Sequence, residues 1–352
     1  MRIAVQLESD GAGSEFFQES FYQLVQQQPA VQVIFLVNKT FAPKQFDHPN
    51  IQYLAVKRNI STGLAKYHWY HFRLPSILRK QQIDCFCNSH QAVRLPNTVL
   101  QVVFADNASL TPRSIQKYYA LADHIIVNSQ YQLEYLSKHF DATDTQVTCI
   151  RQGIHSGSPM ERPAKESLKE QKTQGKDFFY FDYTPCQKEI LLIVLKAFSI
   201  FKKWQQSSVQ LLISANQSQL SYAEQLCANY LHKSDLVFMD SSNESMTDLM
   251  GAAYAYIGMS EKEMVDRHLL RALSYSLPLL LSGSEHLKSY FGEAVLYSEK
   301  KEKDLARLMI LVYKDEMVRN QLVRQCESFK TIDTWEQAAQ QLWKMINHEK
   351  KS

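Results

Sequence analysis

Lys188 stands where a predicted helix begins, just before the apolar-periodic run Glu189–Trp204. The amide dipole disfavours a cation at a helix start, so a lysine there suits a bound anion better than it suits the helix. Glu263 opens a second helical pattern, Val265–Tyr275. A carboxylate at that end is favoured by unpaired N–H groups, so capping competes with a role in binding. Arg271 lies on the same helix four residues after Arg267, where it either answers a ligand or belongs to a solvated face. His90 ends the segment Asn88-Ser89-His90 after a short apolar run, a place for a ligand contact or for a satisfied loop histidine. Gly11-Ala12-Gly13 follows the first strand and starts like a dinucleotide fingerprint. The pattern fails at Phe16, and no acidic residue stands ~20 positions on. The stretch Tyr67, Trp69, Tyr70, Phe72, Arg73, with Arg79 and Lys80 beyond, suits core packing with exposed cations. It also suits contact with a lipid-linked acceptor or an anionic membrane surface.

Other chemistries lack their residues. Gly175-Lys176 has neither the upstream glycine nor the following Ser/Thr of a phosphate-binding P-loop. There is no G-x-S-x-G elbow and no H-E-x-x-H. The cysteines, at 85, 87, 149, 186, 227 and 326, have no disulfide-framework spacing. Cys85 and Cys87 fall on one face of a strand with no second Cys/His pair nearby, so a buried strand is expected rather than half a metal site.

The elements that must position these residues alternate. Strands are expected at 1–7, 31–37, 51–56, 84–87, 99–104, 124–128 and 147–150. Helical patterns centre on Phe16–Val25, Leu74–Lys80, Tyr118–Ala122 and Gln130–His139. A second series follows, with strands at 178–181, 210–214, 236–239, 254–258 and 279–282. Its helices are 189–204, 222–231, 246–253 and 265–275, and helices at 303–314, 316–329 and 334–347 close the chain. Such alternation implies βαβ units and parallel sheets. Between the series, His155–Lys176 is rich in Ser, Gly, Pro, Lys and Glu without apolar periodicity, and reads as a linker. The expected layout is a domain at 1–155, a linker at 156–176, a domain at 177–332 and a closing helix with tail at 333–352. Two doubly wound halves around a linker put a ligand cleft between them, outside the carboxyl ends of the strands.

Composition agrees with two packed domains: 352 residues, 45% hydrophobic, 39 basic against 36 acidic side chains and a net charge of +3. That balance excludes a strongly basic nucleic-acid binder. The N-terminus has no signal-peptide pattern, and the longest apolar runs fall far short of the ~20 residues of a spanning helix. A soluble, reducing, cytoplasmic setting is expected. Glycine is scarce, ten residues where ordinary usage of about 7% would give more than twice as many. Few places remain where bare backbone can approach a phosphate.

The order of segments resembles family 4 glycosyltransferases, retaining and metal-independent enzymes of the GT-B fold that use nucleotide-sugar donors. Ala122-Asp123-His124-Ile125-Ile126-Val127-Asn128-Ser129 is similar to the family's A-D-x-I-I-x-x-S strand. Val147–His155 is similar to its V-x-V-I-x-N-G-V-D domain end, with Gln152 for Asn. Ser260 and Glu263, followed by Ala272 and Pro278, match the spacing of S-x-x-E-G-F-G-x-x-x-x-E-A-x-x-x-G-x-P. Thr334-Trp335-Glu336-Gln337-Ala338-Ala339 resembles the closing W-x-x-x-A helix, which in that family crosses back toward the N-terminal domain.

The resemblance implies two Rossmann-like, doubly wound parallel-sheet domains facing a cleft. It implies a nucleotide-sugar donor in the C-terminal half and a glycan, lipid-linked or small-molecule acceptor in the N-terminal half. Neither metal nor other cofactor is implied. Lys188 stands where the family has a lysine for the diphosphate, and Tyr183 where it has an arginine. Glu263 is the carboxylate that would hold the donor sugar, and Arg271 replaces the second glutamate, which holds the ribose. Gly11 and Gly13 would let the donor approach, His90 matches a frequent histidine after the fourth strand, and Ala105-Asp106 stands in place of a His-Asp pair. Asp182, Glu189, Met264, Asp266 and Ser276 occupy positions where the family has glycine. The expected activity is sugar transfer, with peripheral contact at the inner membrane face left open. The changed donor positions leave a second expectation, a non-catalytic GT-B-like partner or scaffold of an active transferase. A sugar-nucleotide epimerase is a weaker third, since no added acid/base pair favours it.

Overall fold

A computed structural model describes residues 1–7, 12–38, 43–57, 63–89, 91–105, 112–140, 146–155, 160–183, 186–241, 246–259 and 265–348. The chain divides into two compact units, Met1–Gly153 with Asp333–Ser352, and Ile154–Ile332.

The first unit runs β1 (Arg2–Leu7), α1 (Ala12–Gln27), β2 (Gln32–Asn38), β3 (Ile51–Val56) and α2 (Gly63–His68). A π-helical turn, Trp69–Arg73, leads into α3 (Leu74–Lys80). Then come β4 (Cys85–Asn88), β5 (Leu100–Phe104), α4 (Pro112–Tyr119), β6 (His124–Val127), α5 (Gln130–His139) and β7 (Gln146–Cys149). The sheet order is β3-β2-β1-β4-β5-β6-β7, all parallel, so the chain reverses its winding between β1 and β4. Cys85 and Cys87 are both buried in β4, sulfurs 3.8 Å apart, and burial pushes the Cys87 thiol well above its ordinary pKa. Both behave as small apolar core residues.

The second unit runs α6 (Arg162–Thr173), β8 (Phe178–Asp182), α7 (Lys188–Gln205), β9 (Gln210–Ala215), α8 (Gln217–Leu226), β10 (Leu236–Asp240) and α9 (Met246–Gly251). It continues through β11 (Ala255–Gly258), α10 (Arg267–Ser274), β12 (Leu279–Ser282), α11 (Glu285–Phe291), β13 (Leu296–Ser298), α12 (Glu302–Lys314) and α13 (Glu316–Ile332). The order β10-β9-β8-β11-β12-β13, again parallel, is that of a doubly wound dinucleotide-type sheet with its switch between β8 and β11. β8 explains why: Phe178 and Tyr180 enter one core cluster, Phe179 and Phe181 the other, so the strand needs cover on both faces. Helix α14 (Trp335–His348) belongs to the first unit, where Trp335, Ala338, Ala339 and Leu342 join Phe16 of α1 in its core.

Several stretches differ from the sequence expectation: α2 and the π-helical turn were not expected, and the helix expected at 118–122 is found at Pro112–Tyr119. Residues 162–173, read as linker, form α6. A proline in the first turn, an Arg162–Glu166 ion pair one turn apart and an Asp177–Lys169 bridge hold a helix with little apolar periodicity. The eighth helix starts five residues earlier than expected because Asn216 caps it, accepting from the Gln219 N–H at 3.0 Å. Helix α11 and the three-residue β13 were not expected at all. Ser284 caps the helix, and the strand pairs with β12 through Leu296, Tyr297 and Ser298.

Candidate functional site

In a doubly wound sheet the ligand crevice lies at the carboxyl ends of the strands where the winding reverses. In the second unit that point is the end of β8, the start of α7 and the end of β11. Lys188 is the first residue of α7, exposed, and its Nζ lies 5.6 Å from the centroid of the Tyr222 ring on α8. The neighbouring Tyr222 side chain raises the ammonium above its ordinary pKa. Gln187, the residue capping α7, offers no side-chain bond to the helix. The start of α7, where the Ile190 N–H turns back to the Gln187 carbonyl at 3.1 Å, and the Lys188 ammonium thus lie at one helix end. A helix start with a cation beside it accommodates an anion such as a phosphate.

Beneath this point lies a polar cluster that sequence reasoning did not assemble. Asp182, the last residue of β8, is buried and pairs through Oδ2 with His268 Nδ1 at 3.2 Å. Asp266 caps α10 by accepting from the Leu269 N–H at 2.9 Å. Burial pushes its carboxyl above the ordinary range, with Asp182 adding to the shift and His268 opposing it. Cys186 donates through its thiol to the Met259 carbonyl at 2.6 Å, joining the segment after β8 to the end of β11. Asp182 and Asp266 stand at two of the expected glycine positions. The signal that could have linked them is a histidine two residues after Asp266, at the start of a helix that packs on the sheet.

Tyr183, aligned with the family's arginine, is 3% exposed and packs in the core with its ring 6.1 Å from Phe181. Its side chain therefore faces the interior rather than the crevice. Arg271 is exposed on α10, and its charge reaches Tyr180 and Tyr275. Glu263, the residue expected to hold the donor sugar, lies outside the described residues, between Met259 and Val265.

In the first unit, His90, Asp106 and Gly11 also lie outside the described residues. Gly13 is in the first turn of α1. A Cβ there would collide with Ser89 Cβ at the end of β4 and come within 3.0 Å of Phe104 on β5. Its immediate role is close approach of helix to sheet at the switch point. The domain end is tied to the same place: Gln152 Nε2 donates to the Ala12 carbonyl at 2.7 Å. The next residue, Gly153, leaves room for the backbone and indole of Trp335.

No protein-family model and no curated protein matches the chain by sequence. Its structure is similar to that of a glycosyltransferase from Rickettsia africae, 10% identical, with a TM-score of 0.76 over 99% of this chain and 98% of that one. It is similar to sucrose-phosphate synthase from Thermosynechococcus elongatus, 13% identical, with a TM-score of 0.75 over 99% and 98%. Anabaena HepE, solved in complex with UDP-glucose, is 12% identical, with a TM-score of 0.72 over 99% and 100%. The likeness spans both units, each built on a Rossmann-like parallel sheet, and the chain has the GT-B fold of these glycosyltransferases.

Proposed function

We propose that the chain is a glycosyltransferase that moves a sugar from a nucleotide-sugar donor, bound by the second unit, to a glycan, lipid-linked or small-molecule acceptor on the first. The observation that carries this reading is Lys188 at the start of α7, beside the switch point of the sheet. Departure of a nucleoside diphosphate builds negative charge on the leaving phosphate. The Lys188 ammonium and the first-turn N–H groups of α7 stabilise that charge. Glu263 holds the donor sugar, with His90 and Asp106 on the acceptor side. Transfer proceeds with retention and without a metal, since the leaving phosphate can itself take the acceptor proton. The complex of HepE with UDP-glucose supports a donor of this class on this fold. The enzyme would work in the cytoplasm, with its acceptor side toward the membrane.

Thermal unfolding with a panel of nucleoside diphosphates and nucleotide sugars tests the reading. A ligand at 100 times its Kd adds about 2.7 kcal/mol to the folded state. At least one nucleotide is expected to raise the melting temperature, and Lys188→Ala to reduce that rise while the unliganded melting temperature stays put. Millimolar concentrations of every nucleotide leaving the transition unmoved would refute it. One observation favours a second reading, that of a non-catalytic partner of an active transferase. Asp182 and Asp266 are carboxylates where the resembled family leaves bare backbone for a pyrophosphate, and the same null panel would carry that alternative.

A further inference from the structure

The face of the first unit around β3, α2 and α3 combines two properties. Its charge is one-sided. From His48 to Ile83 the sequence has no Asp or Glu, although 36 are spread over the 352 residues, and it carries Lys57, Arg58, Lys66, Arg73, Arg79 and Lys80. Its apolar side chains are turned outward. Leu64 is 84% exposed, Tyr67 56% and Phe72 59%, three large apolar groups within nine residues. Tyr67 and Phe72 rings lie 6.2 Å apart edge-on, with His68 5.6 Å from Phe72, so the aromatics form one cluster. The π-helical turn Trp69–Arg73 divides the segment: Trp69 and Tyr70 enter the core with Leu74 and Leu78, while Phe72 and Arg73 stay outside.

Beside this cluster a groove of about 570 Å3 is lined by Lys57, His68, Trp69, Phe72, Arg73 and Lys80 among others, with no carboxylate in its wall. Arg73 donates to the Lys57 carbonyl at 3.2 Å, which fixes its guanidinium at the edge strand β3. Cations with no carboxylate among the described residues of the groove, beside protruding aromatic and aliphatic groups, are the pattern of a surface that lies on an anionic bilayer.

We propose that this face binds an anionic membrane surface. Leu64, Tyr67 and Phe72 enter the interfacial layer, and Lys57, Arg73 and Lys80 receive lipid phosphates in the groove. The proposal deepens the acceptor-side reading above. Its test needs no donor, so its failure and that of the transferase reading are separable.

The test is co-sedimentation of the full chain with vesicles of phosphatidylcholine alone or with about one third phosphatidylglycerol. Binding is expected to the anionic vesicles only, and to be lost in about 1 M salt, where the screening length falls to about 3 Å. Each cation near the surface is worth roughly a fivefold factor, so Lys57→Gln with Lys80→Gln should weaken partitioning about 25-fold. Leu64→Ser with Phe72→Ser should weaken it at least about tenfold, up to about 100-fold, while keeping the salt dependence. All four side chains are exposed, and circular dichroism of both variants should match that of the parent. Equal binding to neutral and anionic vesicles, or binding unchanged in both variants, would overturn the proposal. So would protection by millimolar glycerol 3-phosphate without vesicle binding, since that would make the groove a site for a small anion instead.

Discussion

Gly13→Ala puts one methyl group into the seam between α1 and the first sheet, and its effect can be worked from three contacts. The new Cβ would collide with Ser89 Cβ, lie 3.0 Å from Phe104 Cδ1 and 3.4 Å from Ser89 Oγ. Ordinary carbon contacts are about 3.5–4.0 Å, so the helix start or the end of β4 must give way. Neither is soft: Phe16, Phe17 and Phe104 are fully buried around the seam, with ring centroids 4.8 and 6.2 Å from Phe104. Overpacking of this kind costs about 1–3 kcal/mol, and the better helix propensity of alanine returns less than about 1. The net loss is therefore about 1–2 kcal/mol. Urea unfolding followed by tryptophan fluorescence and far-ultraviolet circular dichroism would read it, fitted to the transition of the first unit. Ser89→Gly removes the colliding Cβ from the other side, so the double variant should recover about 1 kcal/mol relative to the sum of the singles. A Gly13→Ala protein as stable as the parent, with no coupling to Ser89→Gly, would refute the close-packing account.

Three further outcomes are expected. Gln174 and Gln206 end α6 and α7 in the left-handed conformation, at φ 55° and 47°. Gln174→Gly and Gln206→Gly should each add about 0.5–1 kcal/mol, measured as a higher urea midpoint. Asp266 has a folded-state pKa above 3.8, so it contributes stability below that pH and loses it as pH rises through the folded value. Asp266→Asn keeps a good cap and removes that loss. The variant should be more stable than the parent at neutral pH, with the difference vanishing near pH 4 in paired melting curves. Lys202 is buried, bridged to Asp235 at 2.9 Å and bonded to the Val209 and Ser207 carbonyls. Lys202→Met should cost about 3–5 kcal/mol by stranding that carboxylate, and Asp235→Asn in the same background should recover part of it.

Strand–helix alternation is legible in this sequence because its parallel strands are buried on both faces and so read as apolar runs: Phe178–Phe181 and Leu279–Leu281 could be little else. What escapes that signal is held by polar contacts instead. Helix α6 depends on ion pairs and a helix-starting proline, and β13 is three residues whose pairing is visible only beside β12. The scarcity of glycine is half legible. Residues with positive φ include Gln82, Gln174, Gln206, Ser276 and Lys300, so turns that glycine makes cheaply are made here by side chains that bear the strain. At Ser276, one of the family's glycine positions, φ is 56° and the hydroxyl is held by Glu327. That substitution has a local backbone account. Those at 182 and 266 bear on charge.

Whether carboxylates at 182 and 266 forbid a diphosphate depends on where their charge is directed. A pyrophosphate at the start of α7 would feel an exposed carboxylate strongly, because like charges a few ångströms apart near a surface repel by several kcal/mol. Asp182 is not exposed. Its side chain is 2% accessible, with Oδ2 3.2 Å from His268 Nδ1. Asp266 is half-buried, accepts from the Leu269 N–H, and has its pKa raised by desolvation. Lys188 carries its charge at the surface, beside the Tyr222 ring. Both carboxylates are directed at groups of their own unit, Asp182 at His268 and Asp266 at the Leu269 N–H, while the Lys188 cation is exposed. The exposed Lys188 ammonium at the start of α7 is thus the charge that an anion at the end of β8 is expected to meet.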